Sequence, residues 1–139
     1  MYNNVTLMGR IATAPTIKTT KTDVKYATFR IAVDRHYRTK DGKRVTDFLN
    51  VIAWRKTAEF ICDHFSKGRL ILIDGELQTR GYSDNNGNIQ SWTEVVANRV
   101  SFTGERSDNT RRDDEEIPPP LMPPGDGERY IFDDDYLEY

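Results

Sequence analysis

The sequence predicts an all-β fold, a small closed barrel of five strands with one short helix between the third and fourth. Three observations carry this. Apolar and polar residues alternate in several runs across the first hundred positions, two Asp-Gly or Asn-Gly pairs each stand between such runs, and one stretch changes to helical spacing.

The first strand holds Val5, Leu7, Gly9 and Ile11 on one face, with Thr6, Met8 and Arg10 on the other. In the second, Ala27, Phe29, Ile31 and Val33 alternate with Thr28, Arg30, Ala32 and Asp34. "TKDGKR" at 39–44 then places Asp-Gly between strands, and "DNNGN" at 84–88 places Asn-Gly likewise. Both read as tight hairpins whose two central residues adopt positive φ. "VTDFLNVIAW" (45–54) is the third strand, "RLILIDGELQTRGY" (69–82) the fourth and "SWTEVVANRVSF" (91–102) the fifth. Between the third and fourth lies "TAEFICDHFSKG". There Thr57 suits an N-cap, Glu59 the first turn, Ala58, Ile61 and Phe65 share a face, and Gly68 suits a left-handed end. The order β-β-β-α-β-β fits the OB-fold, a five-stranded Greek-key barrel. An SH3-like barrel is the topological rival, and the helix position favours the OB-fold.

Charge divides the chain near Gly104. Residues 1–104 hold 16 Lys+Arg and 10 Asp+Glu, a net of +6, and residues 105–139 hold 4 and 12, a net of −8; the two sum to −2. A basic body with an acidic tail is a signature of nucleic-acid contact, which a solvated surface can also produce. Periodicity ends after Gly104, where "RRDDEEIPPPLMPPGDGER" mixes like-charge blocks with proline runs. The expected organisation is a folded domain at 1–104, a disordered proline- and charge-rich linker at 105–132, and an acidic-aromatic tip at 133–139. The single cysteine, Cys62, excludes an intrachain disulfide and suits a reducing compartment. With no signal peptide and no long apolar run, the expectation is a cytoplasmic protein without membrane contact.

Strand parity assigns the faces. In the third strand Leu49, Val51 and Ala53 suit the core, leaving Phe48, Asn50, Ile52 and Trp54 outside. In the fourth, Ile71, Ile73, Leu77 and Thr79 take the core side, and Glu76, Gln78, Arg80 and Tyr82 the other. An outer face with Phe48, Trp54 and Tyr82 among Arg55, Lys56 and Arg80 is unusual for a merely solvated sheet. Tyr37, among Arg35, Arg38, Lys40, Lys43 and Arg44, extends the same chemistry along a hairpin. Single-stranded nucleic acid needs this mixture, because bases stack on aromatic rings while cations follow the phosphates. Burial of these rings against a second sheet or a neighbouring subunit is the plainer alternative for each of them singly. Trp92 is left open between a rim aromatic and a subunit contact.

Signals for catalysis are thin. The chain has two histidines, His36 and His64, and lacks HExxH, C-x-x-C, a phosphate-binding glycine loop and G-x-S-x-G. His64 reads as an exposed imidazole near a helix end, and Cys62 as a small buried residue. Asp74 and Glu76 raise a metal-dependent nuclease as an alternative, without a clear third ligand or base. No catalytic residue, metal or cofactor is expected.

"NNVTLMGRI", "YATFRIAVDRHYRTKDGKRVTDFLNVIAWRKTAEF", "SKGRLILIDGELQTRGYSDNNGN" and "WTEVV" resemble, in order, segments of the bacterial-type single-stranded DNA-binding proteins. The likeness covers position 1 to about 104. It implies a cofactor-free OB-fold homotetramer, with a dimer still open from the residues alone, that coats single-stranded DNA without sequence preference in replication, recombination and repair. The family's stacking aromatics fall on Tyr37, Phe48, Trp54 and Tyr82. Its backbone-contacting positions include Lys18, Lys56 and Arg80, to which the face assignment adds Arg10, Arg35, Arg38, Lys43, Arg44, Asn50 and Arg55. Family members often carry Trp where this chain has Tyr37, Phe48 and Tyr82, and a basic residue where it has Gly81. The family also ends in an acidic tip that docks replication and repair proteins. "DDDYLEY", Asp133, Asp134, Asp135, Tyr136, Leu137, Glu138 and Tyr139, resembles that tip without its usual Pro-Phe ending. The altered tip suits a phage, plasmid or secondary copy. An RNA-binding OB protein is the rival reading, since residue types alone do not separate RNA from DNA.

Overall fold

The computed structural model describes residues 1–105. Six strands and one helix follow in the order β1 (Val5–Ile11), β2 (Thr16–Thr19), β3 (Lys25–Arg38), β4 (Arg44–Trp54), α1 (Arg55–His64), β5 (Leu70–Ser83) and β6 (Ile89–Ser101). The sheet runs β1-β5-β6-β4-β3-β2, and an additional β1–β3 pairing closes β1, β3, β4, β6 and β5 into a five-stranded barrel. The β4–β6 pairing is parallel and the others are antiparallel. This is the expected OB barrel with its helix between the third and fourth barrel strands. The acidic tail and its tip lie outside the described residues.

Parity set the core correctly where the barrel is closed. Ile11, Ala27, Phe29, Ile31, Val51, Ala53, Ile71, Ile73, Val95 and Ala97 form one buried cluster, which Ala58, Ile61 and Phe65 of α1 plug from one end. Leu77 and Thr79 do not join it, and both are exposed. The β5–β6 register shifts between Asp74 and Gly75, and beyond that irregularity the inner side of the hairpin is left uncovered among the described residues. Gly75 is required at the shift, because a Cβ there would meet the Val96 carbonyl oxygen at 2.0 Å.

Local signals were less exact. Thr57 is not the N-cap: α1 begins at Arg55, its cap position is Trp54 in extended conformation, and no side chain caps it. The chain passes from β4 into the helix with no loop between, through Arg55 at φ 55°, which leaves no room for a separate cap. Glu59 therefore falls beyond the first turn, and its carboxylate pairs with Lys25 at 2.8 Å. Gly68 has the expected positive φ, but in the turn leading to β5 rather than at the helix end.

The hairpin turns differ from expectation too. Gly42 N–H donates to Thr39 O and Thr39 N–H to Lys43 O, and Gly87, Asp84 and Asn88 repeat the pattern. Only the glycine of each turn has positive φ, as in a three-residue loop closed by a glycine bulge. A third turn of the same form joins β2 to β3, with Asp23 at φ 64° where the others have glycine. That substitution explains why β2 was missing from the expected elements.

Candidate nucleic-acid interface

A second apolar cluster lies on the outer face of the barrel. Tyr26, Ile52 and Val96 are buried there, and Trp54 packs against them. Tyr26 and Trp54 are cross-strand partners, with ring centroids 5.4 Å apart. The ring of Trp54 is thus seated on apolar surface at the end of β4, where the chain turns sharply into α1.

Arg80, on β5, reaches the same indole. Its guanidinium lies 5.5 Å from the Trp54 ring centroid, and its Nε is 2.5 Å from Glu94 Oε1. The Arg80 side chain is 13% exposed and that of Glu94 5%. Burial pushes the Glu94 carboxyl above the usual carboxylate range, while Arg80 and a hydrogen bond from the Trp92 side chain pull the other way. Trp92 stands opposite Arg80 across the β5–β6 ladder and is half-buried. That pairing puts Trp92 on the same face as Trp54.

Phe48 and Asn50 occupy the next part of β4, both half-buried. Asn50 faces Arg30 across the β3–β4 ladder. Arg30 is buried, its guanidinium 5.4 Å from the Phe48 ring centroid, and it donates to Phe48 O at 3.3 Å. Lys18, on β2, faces Tyr26, which brings its strand beside the Trp54 cluster. Arg55 and Lys56 open α1 and are exposed immediately after Trp54.

Two hairpins flank this face. On β3–β4, Tyr37 is 57% exposed, and its hydroxyl accepts from Arg35, whose guanidinium lies 5.7 Å from the Tyr37 ring centroid. Arg35 also grips Asp47 through Nε at 2.8 Å and Nη2 at 2.9 Å, which lowers the Asp47 pKa and raises that of Arg35. Arg44 lies 3.6 Å from Asp34. Arg38 donates to Gly42 O at 3.2 Å, and Lys43 is exposed in the same turn. On β5–β6, Tyr82 is half-buried opposite Gln90.

Arg10 stands apart. It donates to Gly68 O at 3.2 Å and pairs with Glu105 at 2.8 Å, and Glu105 also accepts from Leu70 N–H at 3.2 Å. Its contacts are with the turn after α1, not with the Trp54 cluster. Asp74 and Glu76 find no third metal ligand among the described residues, where no group of three or more His, Cys, Asp and Glu gathers. Sequence reasoning missed Tyr26, Arg30, Glu94 and Val96. Their even-numbered parity was the available signal, since it places Tyr26 and Arg30 with Thr28, and Glu94 and Val96 with Trp92.

A closed barrel with aromatic and cationic side chains on one outer face and on two flanking hairpins belongs to the class of oligonucleotide-binding barrels. The chain is a member of the single-strand binding protein family, whose sequence profile matches residues 2–103. It is 41% identical over 107 residues to the single-stranded DNA-binding protein of Caldanaerobacter subterraneus subsp. tengcongensis, covering 77% of this chain and 71% of that one. The single-stranded DNA-binding protein 2 of Listeria monocytogenes is 40% identical over 109 residues, covering 78% and 68%. The single-stranded DNA-binding protein 1 of Streptococcus pyogenes serotype M18 is 40% identical over 110 residues, covering 79% and 84%.

Proposed function

We propose that this chain binds single-stranded DNA without sequence preference and coats it during replication, recombination and repair. The observation that carries the reading is the outer face around Trp54: an indole seated on Tyr26, Ile52 and Val96, with the Arg80 guanidinium against it, Arg55 and Lys56 next along the chain and Phe48 further back on the same strand. Bases stacking on Trp54, Phe48, Tyr37 and Tyr82 contribute about 1–3 kcal/mol each and do so whatever the base. Lys18, Arg38, Lys43, Asn50, Arg55 and Lys56 follow the backbone, with Arg35 and Arg44 at the hairpin and Arg10 at a more remote edge. The names of the relatives support DNA as the strand bound.

The reading extends to a homotetramer and to a tip, Asp133 to Tyr139, that recruits replication and repair proteins. It is a binding function without catalysis or cofactor, in the cytoplasm. No helix among the described residues is long and apolar enough to cross a membrane.

A tryptophan-fluorescence titration with oligo-dT, oligo-U and duplex DNA at two salt concentrations tests it. Quenching by oligo-dT that survives moderate salt supports DNA coating. Equal or tighter binding of oligo-U transfers the function to RNA, and cleavage of a labelled strand with Mg²⁺ would make the chain a nuclease. Sedimentation of the full chain tests the tetramer, and deletion of 133–139 tests recruitment.

A further inference from the structure

The two tryptophans of the chain lie on the same face as one buried carboxylate, Glu94. Trp92 stands opposite Arg80 on the β5–β6 ladder, two residues before Glu94 on the same strand, Glu94 pairs with Arg80 at 2.5 Å, and the Arg80 guanidinium lies 5.5 Å from the centroid of Trp54. Neither charged group is placed for a phosphate. With 13% of its side chain exposed, Arg80 has little surface to offer, and its planar cation is already engaged by a carboxylate and an indole. A phosphate would have to displace Glu94 and leave it buried without its counter-charge, which is strongly unfavourable.

We infer that Glu94 is a positioning residue which, through Arg80, fixes the orientation of the Trp54 indole on the binding face, with Trp92 alongside on the same face. Arg80 is then a support for Trp54 rather than a backbone contact, and Trp92 belongs to the ring set that meets the strand. The inference rests on the proposed single-strand binding. Its physical basis is preorganisation: a ring held in its stacking orientation before the strand arrives loses less conformational freedom on binding. A guanidinium suits the role because it is planar, always charged and able to hold a carboxylate and an aromatic ring at once.

The test compares Glu94→Gln and Arg80→Lys with the full wild-type chain, titrating oligo-dT across a range of salt and recording near-ultraviolet circular dichroism of the unliganded proteins. Glu94→Gln should weaken binding about tenfold, of the order of one base's stacking, with an unchanged salt slope and a diminished tryptophan signal. A backbone role for Arg80 demands the opposite: release from Glu94 would tighten binding and steepen the slope by about 0.7, one phosphate's worth. That result, or wild-type affinity, overturns the inference. Arg80→Lys keeps the charge, so a phosphate contact would survive it. The positioning role would not, and a similar loss is expected. If Glu94→Gln fails to fold, Arg80→Lys decides alone. If the wild-type chain binds no oligo-dT, the functional reading fails, and an unaltered near-ultraviolet signal in both variants would separately overturn the positioning.

Discussion

Gly75→Ala tests the link between the barrel and its binding face. Gly75 pairs with Ala97 where the β5–β6 register shifts. A Cβ there would lie 2.0 Å from Val96 O, 2.9 Å from Val96 C and 3.3 Å from Ala97 Cα. All three are backbone atoms, so no side chain can rotate away. Ordinary contact at 3.4 Å would need the strands to part locally by more than an ångström, which strains or breaks the neighbouring ladder bonds. Overpacking of this kind costs about 1–3 kcal/mol, and losing two backbone hydrogen bonds adds roughly 1 kcal/mol each. The sum, about 3–5 kcal/mol, is a large share of a small domain's stability. At roughly 4–8 °C per kcal/mol the melting temperature falls by on the order of 20 °C. Thermal and urea unfolding of the full chain would measure this. Oligo-dT titration well below the melt would show a weakened face, since Arg80 must bridge from β5 to Trp54 across the parted strands. A cooperative melt within about 3 °C of wild type would refute the close-approach argument.

Trp54→Ala is expected to lower oligo-dT affinity about tenfold with its salt slope unchanged, whereas Lys56→Ala is expected to flatten the slope by about 0.7; wild-type behaviour of both in fluorescence titrations means the face is misassigned. Arg55→Gly relieves a left-handed residue at φ 55° and should stabilise the fold by about 0.5–1 kcal/mol in urea unfolding, with failure to do so arguing against strain there. The pKa of Glu59 and that of Glu105 are lowered by hydrogen bonds from Lys25 and Arg10. Their contribution to stability is present above the unfolded value of 4.5 and is lost as pH falls through the folded ones, so Lys25→Met should reduce the acid sensitivity of unfolding. Glu94 has the opposite sign. Its raised pKa means that ionisation in the fold costs stability as pH rises past the unfolded value of 4.5, so Glu94→Gln should gain on wild type over that range in melts recorded against pH.

The barrel was legible because alternation is a direct imprint of a two-sided wall. Val51, Ala53, Ile71 and Ile73 are all buried as parity required. Parity says which side a residue takes, but not whether anything covers that side, and Leu77 is 47% exposed for that reason. Ile52 is the converse case: assigned outward, it is 1% exposed because Tyr26, Val96 and Trp54 gather over it. Neither fact resides in a single strand's pattern. Both depend on which strands become neighbours, and the parallel β4–β6 pairing that brings Val96 beside Ile52 has no local signal. The helix start was misplaced for a related reason, since Thr57 follows the capping preference while the strand-to-helix junction at Arg55 overrides it.

The same distinction separates the charge that the sequence counts from the charge that a strand can use. Arg10, Arg35, Arg44 and Arg80 were all expected on the backbone path, and each is paired with a carboxylate: Glu105, Asp47, Asp34 and Glu94. An exposed, single-contact pair such as Arg44–Asp34 at 3.6 Å exchanges partners at little cost, because an isolated surface ion pair is worth only about 0–1 kcal/mol. The buried Arg80–Glu94 pair does not, because its carboxylate would remain in a poorly solvated site. Among the described residues, Lys43 and Lys56 have no carboxylate within ion-pair distance and need displace nothing. The salt slope should therefore reflect Lys43 and Lys56 first and the exposed arginines second, with no share from Arg80. Measured slopes for Lys43→Ala and Arg44→Ala would rank the first two groups, and a slope steepened by about 0.7 in Glu94→Gln would place Arg80 on the phosphates after all.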